Sequence, residues 1–258
     1  PLRHSSAASD VYKRQERSNQ LAHYLIEQGI GKETLVPICI DRSLAMVVGI
    51  LGIIKAGGAY VPIDPSYPQE RIDFILQDTN ASLVVTHSDV LHLFKENKLV
   101  KTSVLLDQGE QILQGQSVSI PEVKISPDQL IYIIYTSGTT GTPKGVMIAH
   151  KSLNSFLCNI QDVYPINKGD KILLKTNYTF DVSVHELFGW IKGGGNLVIL
   201  PNGVEKERHG ILNRIEKHKI THVNVVPSMF SILLEELSTY KELKLPSLKY
   251  FHVAGEVL

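Results

Sequence analysis

The sequence has little of the features that mark several specialised classes of protein. Its 26 basic and 26 acidic residues balance, so no excess of positive charge favours a nucleic acid or a membrane surface as a partner. Only two cysteines are present, Cys39 and Cys158, and they share neither a metal-ligand spacing nor a disulfide-rich context. We therefore expect two reduced thiols in a cytoplasmic protein.

Long hydrophobic runs are also missing. The longest, residues 45–54, stops at Lys55 and is too short to span a bilayer. The chain has 258 residues, of which 43% are hydrophobic. This composition suits a soluble globular protein of one or two domains with a large core.

Short β-branched runs alternate with amphipathic segments along most of the chain, which predicts mostly parallel sheets covered by helices on both faces. The predicted strands cover 36–40, 59–63, 83–86, 104–106, 130–134, 171–174, 197–200, 221–226 and 248–253. The predicted helices cover 17–28, 43–56, 68–77, 89–97, 151–162, 184–191, 207–218 and 228–237. The turn-rich stretch 107–128 is the predicted boundary between two α/β units.

Residues 1–15 differ from the rest of the chain. They are polar and lack periodicity, and they give way abruptly at Arg17 to a segment in which Leu21 and Leu25 recur at helical spacing. We expect residues 1–15 to be a disordered or non-native extension, and the domain itself to cover residues 16–258.

The stretch from Tyr135 to Gly145, YTSGTTGTPKG, concentrates glycines, hydroxyl side chains and one cation after an apolar run. Glycines allow close backbone approach to a ligand, and hydroxyl and amide groups can turn toward an anion, so the stretch predicts a phosphate-binding loop at the end of a strand. From composition alone, a flexible surface turn is the alternative. The G-x-x-x-x-G-K-[ST] pattern of nucleotide triphosphatases is not met, because Lys144 follows Pro143 and precedes Gly145.

The string TSGTTGTPKG resembles the phosphate loop of the adenylate-forming enzymes. This superfamily includes acyl-CoA synthetases, luciferases and the amino-acid-activating adenylation domains of nonribosomal peptide synthetases. Further matches, KAGGAYVPID at 55–64 and FDVSVHE at 180–186, are similar to the adenylation domains. The resemblance runs from about Arg17 to the last residue and implies two flavodoxin-like, doubly wound α/β subdomains of the large domain, the second of them truncated.

In that superfamily a carboxylate attacks the α-phosphate of ATP, giving an acyl-adenylate and pyrophosphate, with Mg²⁺ as cofactor. The resemblance implies that Lys144 and Thr140 are catalytic through their contacts with the phosphates. It assigns ATP phosphate binding to Thr136, Ser137, Gly138, Thr139, Thr140, Gly141 and Lys144. It gives no metal ligand in this chain, since the main Mg²⁺ ligand is expected beyond Leu258.

Asp181 precedes a predicted helix, and spacing alone favours an ordinary N-cap or first-turn acid. The resemblance implies a different role, because the Asp of the Phe-Asp-x-Ser segment pairs with the α-ammonium of an amino acid. Fatty-acid and aryl-acid substrates have no ammonium group, and an unpaired buried carboxylate would be costly beside them. Asp181 therefore favours an amino acid as substrate.

The resemblance also supplies a set of pocket and adenine-side positions. Substrate binding is assigned to Phe180, Asp181, Val182, His185, Asn224, His252 and Ala254. Gly255 and Glu256 are assigned to the border of adenine. For each histidine the alternative is a satisfied or exposed residue, and for Asn224 it is a buried strand amide.

The expected activity is activation of an amino acid for loading onto a downstream peptidyl carrier domain with its phosphopantetheine arm. The segments that bind ribose and the small C-terminal domain with its lysine are expected after Leu258, so we expect the chain alone to be inactive. An acyl-CoA or aryl-acid synthetase is the alternative within the superfamily. A non-catalytic nucleotide-binding or interaction module is the alternative from another class.

Overall fold

The computed structural model describes residues 7–137, 142–204, 207, 209–240 and 244–255, without the side chains of residues 7–12 and 110. The strands of this part of the chain are β1 (Leu35–Cys39), β2 (Ala59–Pro62), β3 (Leu83–Thr86), β4 (Thr102–Leu105), β5 (Leu130–Thr136), β6 (Lys144–Ala149), β7 (Lys171–Leu174), β8 (Asn196–Ile199), β9 (His222–Val225) and β10 (Tyr250–Val253). The α-helices are α1 (Ala7–Glu27), α2 (Leu44–Lys55), α3 (Gln69–Asp78), α4 (Gly109–Leu113), α5 (His150–Val163), α6 (Ser183–Gly193), α7 (Gly210–His218) and α8 (Pro227–Thr239). Short 3-10 helices occupy Ser88–Leu93 and Leu106–Gln108.

The chain divides into two units, Pro1–Ser152 and Leu153–Leu258. Strands alternate with helices in both, and the sheets are mainly parallel, so the predicted α/β class is confirmed. Such sheets arise because each strand is buried on both faces and needs a helical crossover to reach its parallel neighbour. Among the described residues, no helix is both long enough and apolar enough to cross a membrane.

The first unit contains a six-stranded sheet in the order β4-β3-β1-β2-β5-β6. The first five strands run parallel to their neighbours, and β6 runs antiparallel to β5 at the edge. Because Tyr60 of β2 pairs with Tyr132 of β5, β5 belongs to the first sheet. The chain divides at the junction of Ser152 and Leu153, and the subdomain boundary within 107–128 stays a prediction.

Strand β6 was not predicted. The stretch through Gly145 was interpreted as loop because of its glycines, yet Tyr135 pairs with Gly145 and Thr136 pairs with Lys144 across the β5–β6 hairpin. A partner strand can hold a glycine in an extended conformation that its own propensity does not favour. The predicted loop therefore has its two ends built into a sheet.

Helix α1 begins at Ala7, well before the predicted start at Arg17. Its inner face meets α2, where Lys55 Nζ donates hydrogen bonds to Gln15 Oε1 (2.5 Å), Ser18 Oγ (2.7 Å) and Asn19 Oδ1 (2.7 Å). Burial, with the nearby charge of Arg14, lowers the pKa of Lys55 to about 8. The expectation of disorder is thus corrected for residues 7–15, which are helical, while residues 1–6 lie outside the described part.

The second unit contains a four-stranded parallel sheet in the order β10-β9-β7-β8. Its core is a cluster that joins β7 and β9 to the apolar face of α7, with Leu173, Val223, Leu212 and Ile215 all buried. The carboxyl ends of parallel strands lie at one edge of a sheet, where α/β proteins bind their ligands. The segments after β7 and β10 therefore emerge at the same edge.

Candidate functional site

The predicted phosphate loop is the connection between β5 and β6, at the turn end of the hairpin. Thr136 and Lys144 form the last residue pair before the loop, with Thr136 Oγ1 3.5 Å from the carbonyl oxygen of Lys144. The side chains of Thr136, Ser137 and Lys144 are exposed. Residues 138–141, which include the predicted Thr139 and Thr140, lie outside the described residues, so their role stays a prediction.

The hairpin is anchored directly beneath that pair. The hydroxyl of buried Tyr135 donates to the carboxylate of Asp78 on α3, and its ring meets Phe74 edge-on at 6.3 Å. Burial, together with the bond to Asp78, raises the pKa of Tyr135. A Cβ at Gly145 would lie 2.8 Å from Ile133 Cγ2 and 3.2 Å from the Tyr135 ring. Glycine is therefore required there by packing.

Asp181 lies in the segment between β7 and α6, and its side chain is exposed. The N-cap of α6 is Val182, which makes no side-chain capping bond. The backbone N–H of Val184 bonds to the Asp181 carbonyl at 2.9 Å. Both roles of Asp181, a helix-terminal acid and a substrate-binding group, therefore stay predictions, and its side chain is exposed next to Phe180, which is 62% exposed.

Three of the predicted pocket residues are brought together in the interior of the second unit. His185 Nδ1 lies 3.1 Å from Asn224 Oδ1, and the His185 and His252 rings are 4.9 Å apart. With Asn224 Oδ1 as acceptor, the neutral His185 ring carries its proton on Nδ1 and leaves Nε2 as an acceptor. His185 Nε2, Asn224 Nδ2 and His252 Nε2 are buried without a hydrogen-bond partner among the described residues.

The remaining predicted residues are at the edges of this cluster. Val182 is half-buried, and Ala254 and Gly255 are exposed where the chain leaves β10. Gly255 has a φ of +97°, a conformation that favours glycine. Glu256 lies outside the described residues, so the adenine-side assignment stays a prediction.

The structure adds residues that sequence reasoning missed. In the parallel register, Tyr250 is beside His222 and His252 is beside Asn224, which places four polar or aromatic side chains on one face of β9 and β10. The alternation of these residues along each strand was the available signal. Burial lowers the pKa of His222 to about 4 and that of His252 to about 3, with neighbouring imidazoles adding to both shifts.

Glu186 is the other residue that was missed, although it stands in the FDVSVHE segment. Its side chain is fully buried in the first turn of α6. Its carboxylate accepts hydrogen bonds from the backbone N–H groups of Lys175 and Thr176 and from the Thr176 hydroxyl. Glu186 thus joins α6 to the segment that carries Asp181.

The donor groups present suit a nucleotide phosphate better than a protein-held metal. An exposed ammonium and hydroxyls at the turn end of a hairpin are groups that bind phosphate oxygens. Within the described residues, no group of three or more His, Cys, Asp or Glu side chains is placed to hold a metal ion.

The chain is similar in sequence to several known proteins. The chain is 44% identical over 247 residues to polyketide synthase PksN of Bacillus subtilis, covering 93% of this chain and 4% of that protein. It is 44% identical over 244 residues to zwittermicin A synthase ZmaJ of Bacillus cereus, covering 94% of this chain and 46% of that protein. The chain thus spans less than half the length of these curated relatives.

Solved structures also match the fold of this chain. The nonribosomal peptide synthetase FmoA3 matches with a TM-score of 0.86 at 25% identity, over 94% of this chain and 25% of that one. The N-terminal domain of FACL13 from Mycobacterium tuberculosis matches with a TM-score of 0.84 at 22% identity, over 95% of this chain and 62% of that one. At this identity the match shows the fold alone. The family model for AMP-binding enzymes matches residues 13–258, and the chain belongs to this family.

Proposed function

We propose that the chain supplies the ATP-phosphate site and the amino-acid site of an adenylate-forming ligase. The ligase joins the carboxylate of an amino acid to the α-phosphate of ATP and releases pyrophosphate. The aminoacyl group then passes to a phosphopantetheine carrier domain in nonribosomal peptide synthesis. The observation that carries the proposal is the exposed side chain of Asp181 in the segment that leads into α6, which begins at Ser183.

On the nucleotide side, Lys144 and the hydroxyls of Thr136 and Ser137 would hold the β- and γ-phosphates, with the loop residues 138–141 between them. Negative charge builds up on the leaving pyrophosphate, and fixed donors aimed at such charge are a main source of catalysis. Bound Mg²⁺ would supply further neutralisation of the phosphate oxygens. Its protein ligand is proposed to lie outside the described residues of this chain.

On the amino-acid side, Asp181 would pair with the α-ammonium group, with Phe180 beside the substrate carboxylate. Such an ion pair discriminates an amino acid from an acid that lacks the amine, because a carboxylate desolvated without a partner is costly. This argument favours an amino acid over the fatty or aryl acid of the alternative synthetases. The remaining proposed pocket residues are Val182, His185, Asn224, His252 and Ala254.

The test is amino-acid-dependent exchange of pyrophosphate into ATP by the whole gene product. Asp181→Ala should raise the KM for the amino acid with little change in the KM for ATP. Loss of one partner of a charge pair typically costs about 2–5 kcal/mol, or roughly thirtyfold to several thousandfold in KM. Asp181→Asn should have a smaller effect, since the amide oxygen still accepts a hydrogen bond.

Asp162→Ala is the matched control, because Asp162 is an exposed acid on α5 of the same unit, and it should leave both KM values unchanged. Unchanged amino-acid KM in both Asp181 variants would refute the assignment of Asp181. A fatty or aryl acid that exchanges faster than every amino acid would support the alternative synthetase. Absence of exchange with any acid, despite nucleotide binding, would support a non-catalytic module.

A further inference from the structure

Glu186 is an acidic side chain in an unusual environment. It is 0% exposed, and its carboxylate lies against the chain that leaves β7. Oε2 accepts from the backbone N–H groups of Lys175 (2.9 Å) and Thr176 (2.8 Å), and Oε1 accepts from the Thr176 hydroxyl (2.8 Å). Both carboxylate oxygens are therefore occupied by the first two residues of the segment 175–182.

The rest of that segment is held by bonds of its own. Asn177 Oδ1 accepts from both the backbone N–H and the hydroxyl of Thr179, at 3.1 and 3.0 Å. At the far end, the Ser183 hydroxyl on α6 donates to the Phe180 carbonyl at 2.6 Å. The segment is thus tied to α6 twice, through Glu186 at residues 175–176 and through Ser183 at Phe180. Asp181 directly follows the second of these points.

We propose that Glu186 is a positioning residue for substrate recognition, which fixes the 175–182 segment so that the Asp181 carboxylate is held where the amino acid's ammonium group binds. The inference rests on the proposed function, since it gives Asp181 the role described there. Glu186 does not touch substrate in this proposal and acts only through the backbone that it holds.

The chemistry of the contact favours positioning over simple core packing. An apolar side chain would fill this buried place without the cost of desolvating a carboxylate, but it would leave two backbone N–H groups and a hydroxyl without an acceptor. Burial raises the pKa of Glu186, against the opposing effects of the Lys175 charge and the three hydrogen bonds. From this one position on α6, a carboxylate can accept the hydrogen bonds of all three donors, the two backbone N–H groups and the Thr176 hydroxyl.

The experiment measures pyrophosphate exchange by the whole gene product and separates the two KM values. Glu186→Asp shortens the side chain by one methylene and withdraws the carboxylate from its donors. We expect it to raise the amino-acid KM by about tenfold to a hundredfold, the order expected for misplacement of a recognition group by about 1 Å, with the KM for ATP unchanged. Glu186→Gln keeps the length of the side chain and one acceptor oxygen. Its amino-acid KM should therefore rise much less than that of Glu186→Asp.

A double-mutant cycle tests whether Glu186 acts through Asp181. In the Asp181→Ala background, Glu186→Asp should produce almost no further rise in amino-acid KM, because coupled residues are not additive. Glu216→Gln on the exposed face of α7 is the control and should change nothing. If Glu186→Asp fails to fold, Thr176→Val removes one donor and leaves Glu186 in place, and it should shift the amino-acid KM in the same direction.

The outcomes separate this inference from the function on which it rests. If Asp181→Ala leaves the amino-acid KM unchanged, the proposed role of Asp181 fails. If Asp181→Ala raises that KM while Glu186→Asp and Thr176→Val do not, the inference alone fails. Equal losses for ATP and amino acid, or full additivity in the cycle, would show that Glu186 only stabilises the fold and would also overturn the inference.

Discussion

The buried imidazoles of the second unit lead to a quantitative prediction about pH. The His222 and His252 rings stack at 5.6 Å with an interplanar angle of 16°, and His185 meets His252 at 4.9 Å. The pKa falls from 6.5 to about 4 for His222 and to about 3 for His252, chiefly because of burial. Asp170 acts in the opposite direction on His222, while His185 and Lys249 add to its lowering.

The sign of the effect follows from proton binding in the two states. Between a pH near 6.5 and one near 4, the unfolded chain protonates these histidines while the folded chain keeps them neutral. Acid therefore favours unfolding across this window. The neutral imidazoles contribute their full stability above pH 6.5, and that contribution is lost progressively as the pH falls.

The magnitude can be worked from the pKa values. At about pH 5.5, a histidine with an unfolded pKa near 6.5 and a folded pKa at or below 4 destabilises the fold by about 1.4 kcal/mol relative to neutral pH. Two such residues give roughly 2–3 kcal/mol after allowance for the partial exposure of His252. This corresponds to a loss of protection against unfolding of roughly thirtyfold to 150-fold.

Amide hydrogen exchange of the whole gene product, corrected for intrinsic rates, measures this change locally. Protection of β9 and β10 should fall by the stated factor between about pH 7.5 and 5.5, while β1 of the first unit serves as the internal reference. Replacing His252 with Phe should remove about half of the pH dependence, whereas replacing the exposed His92 with Gln should remove none. Equal loss of protection in β1, β9 and β10 would refute the reasoning.

Three further substitutions test other parts of the chain. Lys144→Ala should lower the exchange rate by about two to three orders of magnitude with little change in amino-acid KM, and a changed amino-acid preference at full rate would contradict the phosphate assignment. Tyr135→Phe removes the hydrogen bond to Asp78 and should lower the free energy of unfolding by about 1–2 kcal/mol; unchanged urea denaturation would show that the bond contributes nothing. A Cβ at Gly193 would lie 1.7 Å from the Ile166 carbonyl oxygen, so Gly193→Ala should cost about 1–3 kcal/mol or more; a wild-type melting temperature would show that the backbone moves freely there.

Local chemistry in the sequence was sufficient for the class of fold, whereas the roles of the candidate site residues rest on the family resemblance and stay predictions. Apolar runs such as 130–134 and 171–174 predicted β5 and β7, because a strand buried on both faces must be apolar along its length. The glycine and hydroxyl pattern of the loop predicted phosphate binding, and the FDVSVHE segment was singled out by its resemblance to adenylation domains. These signals are local, so they can be read without knowing which residues meet.

Tertiary structure decided the features that depend on pairing between distant residues. The boundary after Ser152 follows from β5 joining β2, and the strand at Lys144 follows from its partner Tyr135–Thr136. Glu186 stands in the FDVSVHE segment and His222 in an ordinary strand, but their contacts form only when α6 meets the chain after β7 and β9 lies beside β10. A buried polar group depends on its partners, and those partners are supplied by the fold.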